Sequence, residues 1–290
     1  MDQAERASRR LGAALVLAST VPFALSGVFT RLITADVWTV LAWRGFIGGL
    51  AVLAYVRWWQ GGGPRARLGL AGWGLATVGS LASIAFLGAF RLTFVANVAL
   101  IYAMSPFAAA ALEWLFLRER VRGAVLRTAL VTAFGVAIIV AGGLGAPHLL
   151  GDGVALAMMA LFALYTVLIR VFRGVPAVTA AAASSLQLAA LGSVVGAPLR
   201  VSGHDLAWLV AFGLSFALAV ILWTEGARRI PAAETGLLGG AETPFAVLFA
   251  WVILAEVPPA TTLFGGSIVL AAVLWRALAD RRAAVSSSAR

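Results

Sequence analysis

Residues 88–108, GAFRLTFVANVALIYAMSPFA, recur 138 positions further on as GARRIPAAETGLLGGAETPFA at 226–246. Eight of the 21 aligned positions are identical, namely Gly88/Gly226, Ala89/Ala227, Arg91/Arg229, Leu100/Leu238, Ala103/Ala241, Pro106/Pro244, Phe107/Phe245 and Ala108/Ala246. A second match keeps the same order at nearly the same spacing, since FALSGVFTR from Phe23 returns as FALYTVLIR from Phe162, 139 residues later. Ala-rich sequence produces chance matches, but two ordered matches at one spacing describe a chain made of two copies of one unit.

Each copy is built for lipid. The chain of 290 residues is 62% apolar and 12% charged, with a mean hydropathy of +0.97, against about 45–50% apolar and about 25% charged in soluble domains. A spanning helix needs roughly 20 mostly apolar residues. Ten such runs are present, at 11–33, 37–58, 68–90, 93–116, 124–142, 153–172, 176–198, 206–225, 231–255 and 261–278. Five runs per copy is an odd number, so the second copy enters the membrane from the opposite side. The expected fold class is therefore an all-α membrane protein of ten transmembrane helices, arranged as two inverted five-helix repeats. That plan belongs to secondary transporters, with a binding site near the midplane where the repeats meet and alternating access as its consequence.

The net charge of +10 raises nucleic acid as a partner, but all 22 basic residues are Arg and they cluster at the ends of the apolar runs. With the N-terminus cytoplasmic, 18 arginines fall in inner segments against Arg31, Arg91 and Arg200 outside, and Arg44 lies within a helix. The positive-inside rule then puts both termini in the cytoplasm. The partners implied are a lipid bilayer and a small-molecule substrate, with no nucleic acid; the oligomeric state is left open. Trp38, Trp58, Trp59, Trp73, Trp114, Trp208, Trp251 and Trp275 fall near helix ends, as interfacial anchors do.

The chain reads as a single domain over 1–290, with repeat one at 11–142, a Gly-rich linker at 143–151, repeat two at 152–279 and a tail at 280–290, of which 283–290, with three Ser in a row, is expected to lack order. Ser8-Arg9-Arg10 has a slight look of a twin-arginine signal, but the apolar run behind it is too long for a signal core and nine more follow. The absence of Cys excludes disulfides and thiolate metal sites. His148 and His204 fall in outer loops, where solvation is the simpler reading. No nucleotide-binding motif is present, and no cofactor is expected.

The ten spans, the paired Pro-Phe motifs, and WLFLRERV after the fourth helix, mirrored by WVILAEVP after the ninth, resemble the EamA-type branch of the drug/metabolite transporter superfamily. The resemblance covers 11–278. It implies a Pro near the middle of each repeat's fourth helix and a Glu at that helix's end, which map onto Pro106 with Glu119 and Pro244 with Glu256. The two spacings differ by one residue. A family Arg in the second helix maps onto Arg44. Members move amino acids, drugs, other metabolites or sugar phosphates, and compact bacterial amino-acid exporters are the most similar in length and helix number. That implies the bacterial inner membrane.

Arg44 and Glu242 are the ionisable groups deepest in the spans. Arg44 lies eight residues past Asp36, roughly 12 Å in, and Glu242 lies 11 residues past Pro231, roughly 17 Å in. Charges at such depth are functional candidates. They are open to three readings: recognition of a substrate carboxylate and ammonium, mutual neutralisation, or proton coupling at Glu242. Because the family keeps an Arg across very different substrates, Arg44 is read as a gating or structural residue. Proline lacks an N–H, so Pro106 and Pro244 leave the carbonyls of Tyr102 and Gly240 without their helical partner. Gly236, Gly239 and Gly240 weaken the ninth helix further, which points either to a discontinuous helix at the site or to close helix packing.

Polar and aromatic side chains recur at helical spacing. Ser19, Phe23 and Ser26 share a face beside Pro22; Thr77, Ser80 and Ser83 mark the third helix; Asn97, Ile101 and Ser105 share a face of the fourth. The internal match sets Phe162 opposite Phe23, and Tyr165 opposite Ser26. Trp43, Trp223 and Gln187, with Ser184 and Ser185, complete the set. As substrate contacts we take Phe23, Ser80, Ser83, Asn97, Tyr102, Tyr165, Gln187, Trp223 and Glu242. As gating or structural residues we take Arg44, Pro106, Pro244, Gly239 and Gly240. For the hydroxyl residues, helix packing and backbone bonding are the competing explanation.

These features point to a secondary transporter that exports small neutral or aromatic amino acids or related metabolites. A nucleotide sugar or phosphate would need several inward basic groups, and Arg44 alone is available. Efflux of lipophilic cations is the alternative. A membrane enzyme is the remote third: Ser215 has no His within a helix to activate it, and Asp2, Asp36, Asp152, Asp205 and Asp280 all fall outside the expected spans.

Overall fold

A computed structural model of the chain describes residues 3–59, 68–118, 123–142, 148–172, 174–175, 177–227, 229–230 and 238–288. The regular structure among them is α-helical. The first copy of the repeat supplies α1 (Gln3–Leu32), α2 (Val37–Trp59), α3 (Gly69–Leu92), α4 (Val95–Tyr102), α5 (Ser105–Leu117) and α6 (Gly123–Ala141). The second supplies α7 (Leu149–Val171), α8 (Ala177–Val195), α9 (Gly203–Ala227), α10 (Glu242–Leu254) and α11 (Ala260–Ser288). Among the described residues, seven helices or helix pairs are long and apolar enough to cross a membrane, and three shorter apolar helices accompany them. The surface fits that setting, for Trp58, Leu70, Val194 and Leu199 are almost fully exposed, as lipid-facing side chains are.

Local chemistry sets several boundaries. Asp36 caps α2, its carboxylate accepting from the N–H groups of Trp38 (2.9 Å) and Thr39 (3.0 Å) and from the Thr39 hydroxyl (2.6 Å). Burial works to raise the Asp36 carboxyl, but the bonds from Thr39 and Trp38 outweigh it and hold the group below its ordinary value. The expected fourth span is two helices. Pro106 provides no N–H for the Tyr102 carbonyl, α4 stops at Tyr102, and the chain turns through Met104 N–H to Ile101 O (3.1 Å) before α5 starts. The second copy has a matching break before α10. There Thr243 N–H reaches Gly240 O at 3.3 Å, so the carbonyl expected to be free has a partner. Both α5 and α10 run for 13 residues and end on a left-handed residue, Arg118 or Ala255, each at φ 52°.

Three boundaries depart from expectation. Helix α7 starts at Leu149, inside the expected linker, whose residues 143–147 lie outside the described set, as does Glu119. Asp152 and Asp205, expected outside the spans, sit in the first turns of α7 and α9 and are buried. Helix α11 continues to Ser288, past the expected end at 278, because the Ala- and Arg-rich stretch there favours helix.

Packing is mostly between the two copies. Helix α1 lies against α9, α3 against α7, α2 against α8 and α9, and α6 against α11, while α10 touches α1 and α4. Glycines let these helices approach closely. A Cβ on Gly45 of α2 would meet the Ser185 carbonyl and stand 2.8 Å from Ala189 N on α8, and one on Gly192 would stand 2.7 Å from Ala42 N. Gly135 and Gly265 stand in the same relation across α6 and α11, as do Gly12 and Gly226 across α1 and α9. The largest buried cluster joins Phe90, Val95, Val98 and Ile101 to Met158, Ala250 and Val269, so the core lies between the copies.

Candidate functional site

A cavity opens in the middle of the bundle between α1, α3, α4 and α10. Phe23 and Ala24, Phe86 and Phe90, Val98, Ala99 and Tyr102, and Glu242, Thr243 and Ala246 line it. About 280 Å³ there, counting space open to the surroundings, is free of atoms, and the part a water can occupy holds about one water. Tyr102 is seven residues from the start of α4, roughly 10 Å, and Glu242 is 12 residues from the end of α10, roughly 18 Å. A hydrocarbon core about 30 Å thick puts both near its centre.

The walls are aromatic. Phe86 meets Phe90 edge-on at 4.7 Å and Phe162 at 6.0 Å, and Tyr102 meets Phe162 at 5.5 Å. Phe23 meets Trp223 edge-on at 6.3 Å. A Cβ on Gly239 would lie 2.5 Å from the Trp223 ring, so glycine is what lets the chain before α10 rest on that indole. Among the described residues, the one ionisable group lining this space besides the Tyr102 phenol is the Glu242 carboxyl.

The structure thus brings Phe23, Tyr102 and Glu242 together, with Trp223 and Gly239 beside them. Ser80, Gln187 and Tyr165 form a second group on α3, α7 and α8. The Ser80 hydroxyl donates to Gln187 Oε1 at 2.8 Å and stands 3.2 Å from Ser184 Oγ, and Gln187 Nε2 donates to Thr77 at 3.3 Å. A Cβ on Gly79 would meet Ser184 Oγ at 3.0 Å and the Tyr165 ring at 3.1 Å, so these side chains converge on that glycine. Ser83 is half-buried one turn further along α3. Pro106, Pro244 and Gly240 are exposed. Ser19 and Thr30 bond back to Val16 O and Ser26 O of their own helix.

Arg44 and Glu242 do not meet. Arg44 is buried, with its guanidinium 4.6 Å from the Phe216 ring and 5.6 Å from Phe212 on α9, and its Nε has no hydrogen-bond partner. No carboxylate among the described residues pairs with it. Ser215 donates to Pro22 O at 3.4 Å.

Above the cavity, at the end carrying Thr93, a polar clasp joins the copies. Asp152 is fully buried and its Oδ1 accepts from Thr93 Oγ1 (2.7 Å) and Asn97 Nδ2 (3.0 Å), while Thr262 Oγ1 donates to Asn97 Oδ1 (2.6 Å). Asn97 is therefore bound into this clasp rather than lining the cavity. Arg31 Nη2 donates to Thr93 O (2.5 Å), Thr34 donates to both oxygens of Asp205, and Ala197 N–H donates to Thr39 Oγ1 (2.9 Å). Asp152, Phe86, Phe90 and Thr243 escaped sequence reasoning. The available signal was Thr93 and Asn97, two polar groups at i, i+4 that need an acceptor.

Asp152→Ala leaves the Thr93 hydroxyl and Asn97 amide without their acceptor, at about 1–3 kcal/mol for a buried unsatisfied group. Thermal unfolding followed by tryptophan fluorescence is expected at a lower temperature for Asp152→Ala than for Asp152→Asn, which retains an acceptor oxygen.

Glu256, just past α10, accepts from Val95 N–H at 2.6 Å and so caps the start of α4. Glu256 thus ties the end of α10 to the start of α4, while Glu242, at the other end of α10, lines the cavity with Tyr102. Burial raises the Glu256 carboxyl above its ordinary value, against the opposing pull of Arg31, the Val95 and Ala96 N–H groups and His148. A raised folded value means that the fold holds this proton more tightly than the unfolded chain does. Stability then falls as pH rises from the usual glutamate value, 4.5, through the folded one, and levels off above it. Glu256→Gln keeps an acceptor oxygen and is expected to flatten that slope in thermal unfolding measured across pH.

The profile described as the EamA-like transporter family matches the chain twice, over residues 10–141 and 149–277. One crystal structure, whose description states no function, superposes with a TM-score of 0.68 at 19% identity, covering 94% of this chain and 99% of its own. That likeness concerns the fold alone. No curated protein matches the chain.

Proposed function

The chain belongs to the EamA-like transporter family, and on that premise we propose that it exports small neutral or aromatic amino acids, or related amine-bearing metabolites, across the bacterial inner membrane by alternating access. The observation that carries this reading is the Glu242 carboxyl in an aromatic-walled cavity near the bilayer centre. An ammonium group there gains a charge partner and the faces of surrounding rings. The Tyr102 and Thr243 hydroxyls are the donors within reach of a carboxylate, and the rings suit an apolar side chain.

Alternating access rests on two inverted repeats. Exchanging the copies turns α1 against α9 into α7 against α3, and leaves α2 against α8 and α6 against α11 unchanged, in agreement with the observed packing. Gly12 lies on Arg229 and Ile230, and Gly151, 139 residues on, lies on Leu92 and Thr93. The equal lengths and left-handed ends of α5 and α10 give the same support. The arginine distribution supports cytoplasmic termini, with the Asp152 clasp then at the outer face as a closed gate.

The lack of any basic group lining the cavity among the described residues favours one second reading, efflux of lipophilic cations. Counterflow of labelled neutral, aromatic, acidic and basic amino acids, and of one lipophilic dication, into proteoliposomes separates the two. Uptake of several neutral amino acids that compete with one another is expected. Accumulation of the dication alone would move the assignment to drug efflux.

A further inference from the structure

A second groove lies on the membrane-facing side, where α2 and α3 diverge over α8. Leu53, Leu68, Trp73, Ala183 and Leu186 make most of its lining, and it encloses about 780 Å³ of space open to the surroundings. Gln187 at its floor is engaged by Ser80 and Thr77, so the groove offers an apolar bed. Trp73 on its wall and Trp58 at the end of α2 are both well exposed, and exposed indoles sit at headgroup depth. Arg57 follows Leu53 by four residues, one turn nearer the end of α2 on the same helix face, and is exposed. The sequence contains no Asp or Glu between 56 and 72. An apolar trough with the Arg57 charge one turn beyond it at headgroup level matches a lipid with a negative head.

We propose that this groove binds one acyl chain of an anionic phospholipid, with the lipid phosphate held at Arg57. The site is separate from the central cavity and does not depend on which solute is transported. Because the chain contains no Cys, one introduced thiol can report on it. Leu186→Cys puts a fluorophore in the groove. Leu218→Cys on α9, exposed and likewise nine residues from the arginine-rich end of its helix, puts one on open lipid-facing surface.

The full-length protein is placed in phosphatidylcholine nanodiscs doped with either phosphatidylglycerol or phosphatidylcholine brominated on the acyl chain. One arginine near an anionic headgroup corresponds to about a fivefold preference. Quenching at position 186 is expected to favour the brominated anionic lipid by about that factor. At 218 it is expected to be equal for both lipids, and Arg57→Gln is expected to abolish the preference at 186. Equal quenching at 186 by both lipids would overturn the proposal. So would a preference that survives Arg57→Gln.

Discussion

Glu242→Gln is expected to cut counterflow of every ammonium-bearing solute the parent protein carries by about a hundredfold or more, while the protein unfolds at the parent's temperature. Gln has the same shape as Glu, and Glu242 opens α10 facing the cavity rather than a packed neighbour, so the substitution leaves the helix and its contacts in place. It removes the charge. Taking one partner from a buried ion pair costs about 3–5 kcal/mol, which lowers affinity by about a hundredfold or more. Glu242→Asp withdraws the carboxylate by one methylene and is expected to retain part of the activity. The same variant addresses energy coupling. If the proton that drives export resides on Glu242, the residual transport of Glu242→Gln no longer responds to an imposed pH gradient, whereas a response equal to the parent's removes Glu242 from coupling. Undiminished counterflow of neutral amino acids by Glu242→Gln would take the ammonium site elsewhere.

Gly45→Val is expected to cause the largest loss of stability. The new side chain would enter the crossing of α2 and α8, against the Ser185 carbonyl and 2.8 Å from Ala189 N. Both neighbours are backbone and cannot swing aside as a flexible side chain would. Overpacking a close-fitted core costs about 1–3 kcal/mol or more, and here the helices that must separate carry Arg44 on one side and the Ser184–Gln187 group on the other. The contrast is Gly74→Ala. Gly74 lies within α3 with nothing within 4 Å of the added Cβ, so removing a helix-interior glycine is expected to stabilise by about 0.5–1 kcal/mol. Thermal unfolding in detergent should order the three proteins as Gly74→Ala, parent and Gly45→Val, from highest to lowest midpoint. Equal midpoints for parent and Gly45→Val would mean that the α2–α8 crossing is looser than described.

What could be read from the sequence follows from which physics is local. A spanning helix depends on its own apolar run, and the break after Tyr102 depends on one missing N–H four residues on. The runs were legible, and so was the missing partner of the Tyr102 carbonyl, yet the fourth span was expected as one helix and a discontinuity was weighed only for the ninth. What lay beyond reach depends on register between helices far apart in sequence. Asp152 looks like a residue at the edge of a loop. It is buried because Gly151 fits against Leu92 and Thr93, and because Thr93, Asn97 and Thr262 arrive from separate segments. Asn97 shares a face of α4 with Ile101, whereas the cavity is lined by the neighbouring face of Val98, Ala99 and Tyr102, and its amide turns to Asp152 and Thr262 instead. Phe86 and Phe90 carry no local mark that separates them from ordinary packing residues; only the approach of α4 and α10 makes them cavity walls. Arg44 and Glu242 invite pairing as the two deep charges, yet Arg44 lies over the rings of α9.

Access to the central cavity from both sides of the membrane tests the account most directly. Ala99 lines that cavity, and Ala99→Cys supplies the sole thiol in the chain. A membrane-impermeant maleimide is applied to oriented proteoliposomes from one face and then, in a separate sample, from the other, with and without a transported neutral amino acid. The account expects labelling from either face, slowed in both cases by the amino acid. Labelling from one face only, at a rate the amino acid does not change, would contradict it.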